Sequence, residues 1–348
     1  MYVKKNFNFA SIFMFSWFHI VWLTIWAFIT AWFYGTFHFE WMNIPWLPLS
    51  ILGTAVAFYI GFKNNSAYDR LWEARKIWGG IVNSSRMLGS NVRAYVGNQF
   101  RDDKLPESEL QAIHKKMIYL HIGWLYTLRS QLLVPTPWEH LRNRDGDLAE
   151  SYYENRKNNF GIGLFDDQDT KNELHQFLPK DEYDKLINHQ NSATQILDKQ
   201  SQELKMLREK NLIDDFRHME LQKLLNDFYT HQGKCERIKK FPLPRQYASM
   251  SFVFVSIFII LLPFGLIPAF QELSPQWGHW ISMPFMGLIG WIFVMMELIG
   301  DYSENPFEGL GNDIPMLSIC RTIEIDLLEM LGEEHIPDRI KPVNSTLM

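Results

Sequence analysis

The residues of this chain that could do chemistry are its eleven histidines, its two cysteines and a few carboxylates beside apolar runs. His38-x-Glu40 has the spacing of half a metal site, but it sits in a short loop with no further ligand nearby in sequence. His114 and His121 stand two turns apart on one helix face, and a helix with two ordinary surface or core histidines is the expected reading. His175, His189, His218 and His231 add no ligand spacing, so ordinary core or surface histidines are the expected outcome. Glu297 and Asp301 follow an apolar run. A carboxylate at membrane depth is a functional candidate, yet these are expected to be solvated charges at a helix end. Gly309-x-Gly311 follows Pro306 and reads as a turn, not as a phosphate cradle, and no Walker loop or dinucleotide fingerprint is present. Cys235 and Cys320 are too few for a disulfide framework or a zinc cage, and a reduced state is expected for both. No catalytic constellation, cofactor site or metal site emerges, and the expectation is a protein that is not an enzyme.

The elements around these residues are more telling. No Asp, Glu, Lys or Arg occurs between Lys5 and Glu40, and none in residues 41–62, 246–271 or 273–296. About 20 residues at about 1.5 Å rise cross the roughly 30 Å hydrocarbon core, so four membrane helices are expected. The first run is too long for the apolar part of a signal peptide and ends without a small-x-small cleavage site. The second run passes directly into the charged, aromatic stretch KNNSAYDRLWEARKIWGG of residues 63–80, which suits water or other protein.

Averages conceal this division. The chain is 47% hydrophobic and its mean hydropathy is -0.16, because two apolar helix pairs flank a long charged middle. Many of the 13 tryptophans, among them Trp17, Trp32, Trp41, Trp46, Trp277 and Trp280, lie near span ends, as interfacial belts require. A net charge of -5 argues against a nucleic-acid partner. Lys4 and Lys5 precede span one, Lys63, Arg70, Arg75 and Lys76 follow span two, and Lys239, Lys240 and Arg245 precede span three. The two connecting loops carry neither Lys nor Arg. The positive-inside rule then places both termini and the middle segment in the cytoplasm, with the chain in the plasma (inner) membrane.

The expected division is residues 1–63 for the first helix pair, 64–245 for a helical cytoplasmic region, 246–300 for the second pair and 301–348 for a cytoplasmic end segment. In the middle, Leu110, Ile113, Met117, Leu120, Trp124 and Leu128 recur at helical spacing, and residues 181–190 and 193–230 read likewise. Fewer than three clean heptads are present, which favours a packed bundle over a coiled coil. The fold class is therefore all-α and multi-pass.

One stretch carries a family signature. Gly61-Phe62-x-Asn64-x-Ser66-x-Tyr68-Asp69-Arg70-x-Trp72-Glu73-Ala74-Arg75-x-x-Trp78-Gly79 resembles that of the bestrophin family in its bacterial branch. Cys235-Glu236-Arg237-Ile238 with Phe241-Pro242-Leu243-Pro244, Glu304-Asn305-Pro306-Phe307, and Asp313-Ile314-Pro315 leading to Ile319-Cys320-Arg321-Thr322-Ile323-Glu324 agree in order and spacing. The resemblance implies a homopentameric ion channel around one central pore, with membrane lipid and small inorganic ions as partners. It implies a hydrophobic neck on the second span at Thr54, Phe58 and Phe62, three positions on one helix face. Such rings gate by dewetting; the bland reading is packing against lipid or other spans. Thr54 departs from the family's usual apolar residue, which would leave a dry zone two rings deep. A second constriction, the cytoplasmic aperture, falls at Met219, with Phe216 and Ile213 as neighbouring choices.

In the animal members a run of acidic residues after Asn-Pro-Phe holds calcium. Here only Glu308 and Asp313 occur in the six positions after Phe307, too few for a cation that takes six to eight oxygens. Phenylalanine edges favour anions and faces favour cations, so the residues leave ion preference open. Family weight leans to chloride and other anions, with a sodium- or potassium-selective channel as the alternative. Two other classes remain: a membrane-anchored signalling dimer, and a lipid-acting enzyme, for which a His or Asp cluster at the interface is missing.

Overall fold

The computed structural model describes residues 1–7, 9–37, 42–139, 174–186, 188–343 and 345–348. Its chain is all-α, with only two isolated bridges, Tyr2 with Thr346 and Val343 with Thr346, among the described residues. The α-helices among the described residues are α1 (Phe9–Phe37), α2 (Trp46–Tyr95), α3 (Glu107–Leu132), α4 (Lys180–Leu186), α5 (Ser192–Glu209), α6 (Asp215–Lys240), α7 (Arg245–Leu273), α8 (Gly278–Asp301) and α9 (Met316–Leu331). Among the described residues, four helical segments are long and apolar enough to cross a membrane.

The chain divides into two compact units. One comprises residues 4–70 and 242–305 and so contains α1, the first half of α2, α7 and α8. Here α8 packs on α7 and α1, around Leu23, Leu49, Val56, Ile60, Val255, Phe258, Ile259, Leu262 and Val294. Close approach depends on small residues, as expected where lipid removes any drive to bury apolar surface. A Cβ on Gly53 would lie 2.8 Å from the Phe258 ring.

The other unit comprises residues 1–3, 71–241 and 306–348. In it α3 packs on α5 and α9, and α5 on α6. Its core includes Trp78, Ile81, Trp124, Tyr126, Leu197, Phe228 and Ile323. The helix expected across residues 193–230 is broken between α5 and α6. Asn211 adopts a left-handed φ of 55°, and the Asp214 carboxylate accepts the Arg217 N–H at 2.8 Å, starting α6 as an N-cap. Helix α9, not foreseen, ends at Gly332, whose φ of 77° closes it.

Candidate functional site

On α2 the exposed and buried faces are sharply separated. Val56, Ile60, Lys63 and Ala67 are buried. Thr54, Phe58 and Phe62 point the other way, Phe58 being 68% and Phe62 60% exposed. The two rings meet edge to face at 5.0 Å. Thr54 Oγ1 donates to the Ser50 carbonyl at 2.9 Å, so its hydroxyl proton is already engaged while the oxygen faces outward. Helical spacing thus brings the three sequence-predicted neck residues onto one face, and that face continues through exposed Asn65, Ser66 and Asp69.

Directly behind Phe62 the polarity reverses. Lys63 is 3% exposed and Glu297 6%. Lys63 Nζ meets Glu297 Oε1 at 2.5 Å, and the Ser251 hydroxyl donates to the other carboxylate oxygen. Asn64 Nδ2 donates to the Met296 carbonyl at 3.0 Å. The Asn64 side chain fits because residue 300 is glycine: a Cβ there would fall 2.0 Å from Asn64 Oδ1. Glu297 is therefore not the solvated helix-end charge its position suggested. It neutralises a lysine 234 residues away in sequence, a pairing that no local pattern reveals. One turn on, Arg70 Nε donates to the Glu304 carbonyl at 2.9 Å.

In the other unit, Met219 lies on α6 and is 62% exposed. Phe216 is exposed as well, whereas Ile213 is fully buried in the core, which removes it as a constriction residue. The turn after Pro306 is built on Asp313. Its buried carboxylate accepts backbone N–H groups from Phe307 (3.1 Å), Gly309 (2.7 Å) and Ile314 (2.7 Å). These bonds stabilise the ionised form, but burial outweighs them and raises its pKa. With its lone pairs directed at the loop's own amides, this carboxylate is a poor calcium ligand. Nearby, Lys239 Nζ pairs with Glu139 at 2.5 Å and donates to the Phe307 carbonyl at 3.1 Å.

The other candidates have structural partners. His114 Nε2 bonds the Val96 carbonyl at 2.9 Å. His121 is fully buried beside Ser85 Oγ (2.9 Å) and the Trp124 and Phe228 rings, and burial pushes its pKa down to about 3. Cys235 and Cys320 are free and buried, and burial raises both thiols, Cys320 to about 12, which makes them inert nucleophiles. Among the described residues no group of three or more His, Cys, Asp or Glu could hold a metal. His38 and Glu40 lie outside the described residues.

Residues 9–329 match the family described as bacterial/fungal bestrophin protein. Similar proteins include the voltage-dependent anion channel-forming protein YneE of Escherichia coli, 30% identical over 295 residues that cover 85% of this chain and 80% of the relative. A voltage-dependent anion channel-forming protein of Synechocystis is 26% identical over 285 residues, covering 82% and 76%. The crystal structure of a bacterial bestrophin homologue from Klebsiella pneumoniae superposes with a TM-score of 0.71 at 22% identity, covering 91% of this chain and 99% of that one. At that identity the likeness speaks for a shared fold.

Proposed function

We propose that this chain, which belongs to the bacterial and fungal bestrophin family, is one subunit of a homopentameric ion channel of the inner membrane. Five copies of α2 turn Thr54, Phe58 and Phe62 toward a common axis and form the neck. Met219 forms the cytoplasmic aperture. Residues 1–63 and 246–300 are the lipid-embedded parts, and residues 64–245 and 301–348, with both termini, are cytoplasmic. The channel passes small inorganic anions, chloride foremost, and performs no catalysis.

The observation that carries this reading is the composition of one face of α2. A lipid-facing strip ends at the interface in aromatic or basic anchors. The strip through Phe58 and Phe62 runs first into Asn65, Ser66 and Asp69, all exposed, and reaches Trp72 and Lys76 only about three to four turns beyond Phe62. An aqueous path narrowed by two phenylalanine rings accounts for that order, and a narrow apolar ring resists filling by water. Anion conduction is supported by the names of the relatives. A cation-selective channel of the same architecture is the second reading, favoured by the burial of Lys63 against Glu297, which leaves the inner end of the neck without that cation.

Reconstitution in a planar bilayer under a salt gradient tests both. Current with a reversal potential near that of chloride is expected, and Phe62→Ala should raise conductance by widening the neck. Purified protein that passes no current, or that is a dimer, would overturn the channel reading. Thr54→Ile should lower conductance by deepening the dry zone; an unchanged value would remove Thr54 from the gate.

A further inference from the structure

The charge nearest the neck in sequence is Lys63, immediately after Phe62. Read linearly, five such lysines would ring the inner mouth and attract anions. The structure removes them: Lys63 is buried and neutralised by Glu297. Arg70 is likewise drawn off, bonding the Glu304 carbonyl. Between these two cations stand exposed Asn65 and Ser66, which are neutral, and Asp69, which is exposed and engages no side-chain partner among the described residues. Seven residues separate Asp69 from Phe62, which returns it to the same helix face about 10 Å further along. Lys76, also exposed and without an ion pair among the described residues, follows seven residues later.

We propose that Asp69 tunes the ion preference of this channel: five Asp69 carboxylates ring the inner mouth of the neck and, by concentrating small monovalent cations there, weaken the anion preference of the pore. The proposal rests on the pore reading above, with Phe58 and Phe62 facing the axis. Rings of acidic side chains are a recurrent basis of cation preference. Five unit charges set one Debye length, about 8 Å, from a common axis in water change the local concentration of each ion about fivefold, up for cations and down for anions. Lys76 lies beyond a further Debye length from the constriction, so its opposing field there is weaker.

The test is the reversal potential of single channels under a sodium chloride gradient, for the wild type and for Asp69→Asn, Asp69→Glu and Lys76→Gln. Asp69→Asn is expected to raise the chloride-to-sodium permeability ratio by up to about 25-fold at 0.15 M salt, fivefold from each ion, with most of the effect gone near 1 M, where the Debye length is about 3 Å. Asp69→Glu should resemble the wild type, and Lys76→Gln should shift the ratio the other way by less. Conducting Asp69→Asn channels with the wild-type reversal potential would overturn the proposal while leaving the pore reading intact. A wild type without current would instead sink the pore reading. If Asp69→Asn does not assemble, Asp69→Cys decides the matter, since the native thiols are buried. Modification by an anionic thiol reagent should restore the wild-type ratio and a neutral reagent should not; equal effects of the two would refute the role of charge.

Discussion

In the unit of residues 4–70 and 242–305, large side chains such as Leu47, Phe58, Phe62 and Phe252 stand outside, while Ser251, Ser282, Lys63 and Glu297 are buried. In the unit of residues 71–241 and 306–348 several of the largest aromatics are inside: Trp78, Trp124, Tyr126 and Phe228 are fully buried. Water drives the second arrangement, since each buried large side chain gains about 1.5–3 kcal/mol. Lipid offers no such drive, so the first unit is held by close contacts at small residues and by polar pairs. Among the described residues each unit nevertheless buries a lysine–glutamate pair, Lys63–Glu297 and Lys239–Glu139. What differs is what surrounds them: the second pair has further polar partners in Thr136 and the Phe307 carbonyl, and the first has mainly Ser251.

Removing one partner of the lipid-side pair should give the largest effect. Glu297→Leu leaves a buried ammonium unpaired, which costs about 3–5 kcal/mol. Thermal melts in detergent should show the loss, and Lys63→Met combined with Glu297→Leu should recover most of it. A Glu297→Leu protein as stable as the wild type would break the claim that a polar pair holds this unit together.

A second comparison concerns pH. His121 is buried uncharged, with its pKa lowered from 6.5 to about 3. Between those values the unfolded chain binds a proton that the folded chain refuses, so stability falls as pH falls. From pH 6.5 to 5 the loss is about 1.6 kcal/mol, the slope reaching its full 1.36 kcal/mol per unit only below pH 6.5. Acid titration of the melting temperature should therefore be steep in the wild type and flatter in His121→Phe, which keeps a ring against Trp124 and Phe228. An equal slope in the variant would place the acid sensitivity elsewhere.

The smallest expected effect is at the start of α6. Asp214→Ala removes the N-cap acceptor of the Arg217 N–H and should cost about 1 kcal/mol. Hydrogen exchange should quicken in the first turn of α6 and leave the membrane helices unchanged. Faster exchange in α7 would mean that the two regions are not energetically separate.

The four spans could be read from sequence because lipid imposes a long uncharged run. The single face shared by Thr54, Phe58 and Phe62 followed from helical spacing once the resemblance picked out those positions. Pairings over distance could not be read: Glu297 looks solvated until Lys63, far away in the chain, is brought against it. The break between α5 and α6 was hidden because Leu204, Leu207, Leu221 and Leu224 keep an apolar rhythm on both sides of it, while one left-handed Asn211 and one capping Asp214 decide it. Helix α9 buries Glu324, whose carboxylate takes hydrogen bonds from Tyr126 and Arg321, and that acid interrupts the apolar pattern on its buried face.

The Lys63–Glu297 pair has an electrical consequence. A transmembrane potential of 100 mV does about 2.3 kcal/mol of work on each elementary charge moved across the bilayer. The four apolar runs hold no charged residue, and the lysine and glutamate at their inner ends cancel as a closed dipole. Voltage therefore finds little gating charge in these helices to pull. A steep voltage dependence would have to draw on the permeant ions themselves, as they occupy or vacate the path past the phenylalanine rings.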